Sequence, residues 1–230
     1  MTIIVILVVS GALVAGAAWG VYGSLSEATE GFIVALAGGA LIVSAVLELI
    51  EPSIKEVPVG WGLAVVLAGA LVFAGLDYLV DEVWSSGAGG GLLAAITLDG
   101  VPENLALGVS LIGADPMAVA ALSGSILLSN LPEAAGGARR MSQDGTSDGE
   151  TMWLWGGAAV LLSGAALAGH YLLADVPEEI LMYIRCFAGG AVVGSLAIEV
   201  FPKAFKQDNY VAGVAAGIGL CVALYLDTLG

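Results

Sequence analysis

Apolar residues in this chain gather into long, nearly unbroken runs and do not alternate with polar ones as they would on the elements of a water-soluble fold. The runs cover about 3–22, 31–50, 60–80, 91–113, 116–137, 152–174, 181–201 and 210–229. Each approaches the ~20 residues needed to cross a bilayer core, so the pattern predicts eight transmembrane helices. The acids fall mostly in the connectors, at Glu27 and Glu30, Glu51 and Glu56, Asp81 and Glu82, Asp144 to Glu150, and Asp175 to Glu179. The longest connector, 139–151, is rich in Gly, Ser and Asp and is expected to be an exposed loop. The first run lacks a basic leader after Met1-Thr2 and a small-x-small cleavage site, so it reads as a retained span.

Composition narrows the class further. Of 230 residues 59% are hydrophobic and only 12% charged, with a mean hydropathy of +0.98, which excludes a soluble globular domain. The expectation is a single all-α integral membrane domain over 1–230, with any function inside the helix bundle. A net charge of -15 with six Lys and Arg argues against nucleic acid or anionic lipid headgroups as partners. Cys186 and Cys221 lie in apolar runs and read as small hydrophobes, so no disulfide framework or CxxC site is expected. Basic residues near span ends set orientation. An outside N-terminus puts Arg139, Arg140, Lys203 and Lys206 in the cytoplasm against Lys55 and Arg185 outside, which favours a plasma-membrane protein with both termini extracytoplasmic.

Internal repetition organises the eight spans. Ser10-Gly11-Ala12-Leu13-Val14-Ala15-Gly16 returns as Ser163-Gly164-Ala165-Ala166-Leu167-Ala168-Gly169. Ala37-Gly38-Gly39-Ala40, Ser44 and Glu48 return as Ala188-Gly189-Gly190-Ala191, Ser195 and Glu199. Gly69, Val72, Leu76, Asp77 and Leu79 return as Gly219, Val222, Leu226, Asp227 and Leu229. The three offsets are nearly equal, about 150 residues, and the related spans are five apart. An odd separation makes the two triplets cross the membrane in opposite directions, giving a 3+2+3 arrangement with an inverted repeat. In such folds the substrate site lies near the midplane.

The two central spans, within about 91–137, carry a second duplication: Leu98-Asp99-Gly100-Val101-Pro102-Glu103 and Leu128-Ser129-Asn130-Leu131-Pro132-Glu133. An interior proline has no N–H for the carbonyl four residues back, so Pro102 and Pro132 free the carbonyls of Leu98 and Leu128. Asp99 and Glu103 share one helix face, as do Ser129 and Glu133, with Asn130 beside them. Three intramembrane carboxylates cost on the order of 10 kcal/mol unless compensated. From 57 to 138 the chain has no Lys, Arg or His. The carboxyls are therefore protonated, neutralised by a bound cation, or reached by a basic residue of another span, with Arg185 and His170 as the candidates near membrane depth.

These motifs resemble the ZIP (Zrt/Irt-like) family of divalent metal transporters, whose fourth and fifth spans carry a His-Asn-x-Pro-Glu-Gly motif and a similar x-Pro-Glu segment. The stretch from Phe187-Ala188-Gly189-Gly190 through Glu199-Val200-Phe201-Pro202 is similar to the family's seventh span. The resemblance implies eight spans, both termini outside, and a metal site to which Asp99, Glu103 and Glu133 correspond. Asp99 stands where the family usually has a histidine, Gly100 where it has Asn, and Asn104 where it has Gly. Ser129 and Asn130 occupy the usual His/Asp positions of span five, and the second metal site is depleted.

The expected function is thus transport of a divalent metal, Zn, Fe(II) or Mn, by alternating access and without a permanently bound cofactor. Asp99, Glu103, Ser129, Asn130 and Glu133 are the expected ligands, with Glu48, Glu199 and His170 as pathway candidates. The lipid bilayer is the surrounding partner, and a homodimer is allowed. An intramembrane hydrolase that uses paired acids and a ZIP-like scaffold that no longer transports are the alternatives, with a non-enzymatic role preferred. An all-oxygen donor set weakens the preference for zinc without reversing it.

Overall fold

The structure, a computed structural model, describes residues 2–80, 90–113 and 120–228, with side chains from Gly100 onward in the second segment and from Leu122 onward in the third. Its elements are all helical: α1 (Thr2–Tyr22), α2 (Glu27–Ser44), a π-helical turn (Ala45–Ile50), α3 (Glu51–Glu56), α4 (Val59–Leu79), α5 (Gly90–Ser110), α6 (Ala120–Gln143), α7 (Asp148–Leu172), α8 (Glu178–Ser195), a second π-helical turn (Leu196–Val200), α9 (Phe201–Asp208) and α10 (Val211–Asp227). Because each π turn joins the helices on either side, the described residues form eight continuous rods.

Five rods among the described residues are long and apolar enough to cross a membrane: Thr2–Tyr22, Glu27–Glu56, Val59–Leu79, Asp148–Leu172 and Glu178–Asp208. Val211–Asp227 is apolar but shorter. α6 devotes Ser125, Ser129, Asn130, Glu133, Arg139 and Arg140 to polar positions, which lowers its hydropathy. Large side chains face outward, with Leu63, Leu67 and Leu71 of α4 each more than half exposed, beside Ile4 and Leu7 of α1 and Val214 of α10. In water such a coat would drive aggregation; against lipid tails it is the natural surface. The chain is a multi-pass membrane protein.

The rods pack in pairs, chiefly α1 on α6, α5 on α7, α2 on α10 and α4 on α8. Backbones approach where glycine leaves room. A Cβ at Gly39 would strike the carbonyl of Ala216, and one at Gly190 the carbonyl of Val66. Small residues allow this closeness, and dispersion between the apposed backbones holds the pairs where lipid supplies no hydrophobic drive. Between the pairs lies a core of Ile6, Val9, Leu41, Leu49, Leu107, Leu122, Ile126, Val192 and Leu196, with a second cluster around Trp155, Leu162 and Met141.

Both π turns have one local cause. Pro52 and Pro202 follow them and offer no N–H to the carbonyls of Glu48 and Ile198, and each ring needs space where a normal turn would pass. The chain widens, and the amides of Glu51 and Phe201 instead donate five residues back to Val46 and Leu196. Such turns are frequent at functional positions. Here they carry Glu48 and Glu199.

The 139–151 stretch differs from its expected loop. α6 stays helical through Gln143, and Ser147 caps α7 by accepting from the amide of Glu150, so only a few residues connect the helices. Arg139 and Arg140 point inward, for the reason given below.

Candidate functional site

α5 and α6 bring their prolines through unbroken helix at Pro102 and Pro132. Glu103, directly after Pro102, is 2% exposed, and its Oε1 has no hydrogen-bond partner. The next residue, Asn104, is fully buried; its amide donates to the carbonyl of Gly100 at 2.9 Å, while its own Oδ1 is unpartnered. Each of these buried oxygens without a donor is costly in a dry interior. Glu133 of α6 is near enough to Glu103 for their charges to repel. Together with Ser129, Val34, Glu199, Val200 and Lys203 it lines a cavity of about 40 Å³. That space holds a dehydrated ion or a very few waters, since one water needs about 10–15 Å³ on the same measure.

The expected site residues therefore divide. Ser129, Glu133 and Glu199 meet at one cavity, and Glu103 is buried within the range of Glu133's charge without lining that cavity. Glu199 was expected only as a mouth residue on the pathway, and the second π turn carries it to the cavity. Asn130 is buried but turned toward α1, where its amide donates to the Val9 carbonyl at 3.2 Å; it ties α6 to α1. Asp99 stands on α5, but its side chain lies outside the described residues. Among the described residues, no three His, Cys, Asp or Glu side chains gather into a metal-binding group.

Glu48 and His170 have other surroundings. Glu48 Oε1 accepts from the amide of Leu122 at 2.9 Å, in the first turn of α6, where helical N–H groups lack intrahelical partners and the helix dipole favours negative charge. The carboxylate caps α6. Glu48→Ala should lower stability against SDS unfolding by about 1–2 kcal/mol, with Glu48→Gln milder because its amide oxygen still accepts; an unchanged midpoint for Glu48→Ala would remove the capping role. His170 lies on α7 with its ring edge toward Tyr171, the centroids 4.9 Å apart, and its Nδ1 is buried without a partner. It does not line the cavity.

At the far end a wider vestibule of about 480 Å³ is lined by Glu51, Lys55, Glu56, Glu178, Arg185 and Asp227, among others. Asp77, near the end of α4, is only 7% exposed.

Sequence reasoning placed Glu30 among solvated connector acids, yet it is fully buried. Three cations surround it: Arg139 and Arg140 at 3.3 Å and Lys203 at 3.6 Å. Arg139 also donates to the carbonyl of Leu25 and lies 3.8 Å from Glu27. The carboxylate rests against Gly136, where a Cβ would overlap its oxygens. The available signal was the run Gly136-Gly137-Ala138-Arg139-Arg140, which pairs a backbone cradle with two guanidiniums about two turns beyond Glu133.

No protein-family model matches the chain, and no curated protein is significantly similar to it.

Proposed function

We propose that the chain is a ZIP-like transporter of divalent metal ions, with eight spans in a 3+2+3 inverted arrangement and alternating access to a carboxylate site. One observation carries this reading: the cavity lined by Ser129, Glu133 and Glu199, with the buried and unpartnered Glu103 Oε1 on the other proline-containing helix and within the range of Glu133's charge. Carboxylate and hydroxyl oxygens suit a dehydrated divalent cation, and mid-helix acids in membranes commonly mark ion pathways.

Packing supports the inverted arrangement. The α2 and α10 pair corresponds in sequence to α8 and α4, and the matching residues make the same contacts. Gly39 on Ala216 parallels Gly190 on Val66, while Gly219 on Leu36 parallels Gly69 on Phe187. The π turns also match, each with its Pro and Glu. Orientation follows the basic residues, with Arg139, Arg140 and Lys203 around Glu30 at the cytoplasmic end and Lys55 and Arg185 at the outer vestibule.

Purified protein in liposomes with a metal-sensitive dye inside tests the reading. Mn and Fe(II) should enter at rates comparable to Zn, because an oxygen cage lacks the nitrogen and sulfur donors zinc prefers. Influx should fall in acid, since protonated carboxyls no longer hold a cation. If no metal crosses, a non-transporting scaffold replaces the transporter; if only Zn crosses, unaffected by a hundredfold excess of Mn, a nitrogen ligand reaches the site.

A further inference from the structure

Lys203 stands between two centres of opposite charge. On one side, the buried carboxylate of Glu30 meets three cations, Arg139, Arg140 and Lys203. Arg139 has further acceptors in the Leu25 carbonyl and in Glu27, and Lys203 is held at the longest of the three distances to Glu30. On the other side, Lys203 lines the cavity with Ser129, Glu133 and Glu199. Its field reaches Glu133, as do those of Arg140 and Glu30. The side chain is 27% exposed, so its flexible four-carbon stem has room to move.

We infer that Lys203 is a tethered cation of the transport site: its ammonium exchanges between Glu30 and the cavity carboxylates, competing there with the transported metal. This rests on the transporter reading and adds a specificity-determining residue to it. When metal is bound, repulsion drives the ammonium to Glu30. When metal leaves, the ammonium neutralises Glu133, so that buried carboxylate is not left as uncompensated charge. The exchange weakens metal affinity and speeds release toward the cytoplasm.

Removing the tethered charge should have a signature that a structural lysine would not give. Mn²⁺ titrations of the full-length protein in detergent, by calorimetry and by metal-induced thermal stabilisation, would compare wild type with Lys203→Gln and Lys203→Arg. Lys203→Gln should bind Mn²⁺ on the order of tenfold more tightly, by Coulomb's law at intermediate dielectric, while its metal-free form melts at lower temperature. Lys203→Arg should return affinity to the wild-type range. Glu30→Gln releases the ammonium into the cavity and should weaken binding, and Glu30→Gln with Lys203→Gln together should cancel that loss. Equal or weaker Mn²⁺ binding by Lys203→Gln, with wild-type binding intact, overturns the tethered cation and leaves the transporter standing. Absence of Mn²⁺, Fe²⁺ and Zn²⁺ binding in the wild type overturns both. If Glu30→Gln does not fold, the two Lys203 variants decide alone.

Discussion

Glu103→Gln and Glu133→Gln should each lower metal flux by roughly two to three orders of magnitude while the protein still inserts and purifies as wild type. An amide keeps the size of the carboxylate and one oxygen but removes the charge that repays a cation for its lost water. Breaking a buried ionic interaction by removing one partner costs about 3–5 kcal/mol, which sets the scale of the loss. For Glu103 stability should move the other way: its Oε1 is buried and unpartnered, and a neutral group there is cheaper to bury than an ion, so metal-free Glu103→Gln should resist SDS as well as wild type or better. A mutation that merely damaged packing would lower flux and stability together. Flux is measured in dye-loaded liposomes at matched protein density, and near wild-type rates in both variants would take Glu103 and Glu133 out of the pathway.

Why the sequence revealed Glu133 but not Glu30 has a physical answer. A Pro-Glu pair in mid-span breaks two strong rules at once, since it removes a backbone donor and puts a charge in hydrocarbon, so it stands out without knowledge of any neighbour. The long apolar runs were legible for the same reason: each depends only on local hydropathy. Glu30 broke no local rule, because an acid in the first turn of a helix is ordinary. Its burial depends on Gly136 and on three cations that follow it by more than 100 residues, and only tertiary packing brings these together. The helical extension through Gln143 was hidden likewise, since Arg139 and Arg140 read as loop residues until their carboxylate partner is known. Glu48 was visible as an intramembrane acid, but its work as a cap required the start of α6 to be placed beside it. Charge out of place could be read from the chain, and charge properly paired could not.

The second large effect concerns the helix pairs that frame the site. Gly39→Ala and Gly190→Ala should each destabilise the bundle by about 1–3 kcal/mol, the usual cost of overfilling a packed interface, because the new methyl group would occupy the place of the Ala216 or Val66 carbonyl. The carbonyls belong to helical backbone and cannot rotate away, so the whole helix must shift. Gly164→Ala is the contrasting substitution. Nothing lies within 4 Å of a Cβ there, and alanine is a better helix former by up to about 1 kcal/mol, so this variant should be neutral or stabilised. Opposite signs for the same chemical change separate close backbone approach from helix propensity. The two costly changes sit in different pairs, α2 with α10 and α8 with α4, and should add when combined. Because these residues are repeat partners, the two costs should also match, whereas an accidental glycine would show no such equality. SDS or thermal unfolding of the purified variants measures all four proteins on one scale. Tolerance of both Gly39→Ala and Gly190→Ala would mean that the helices do not meet at these backbones and would withdraw the packing support for an inverted repeat.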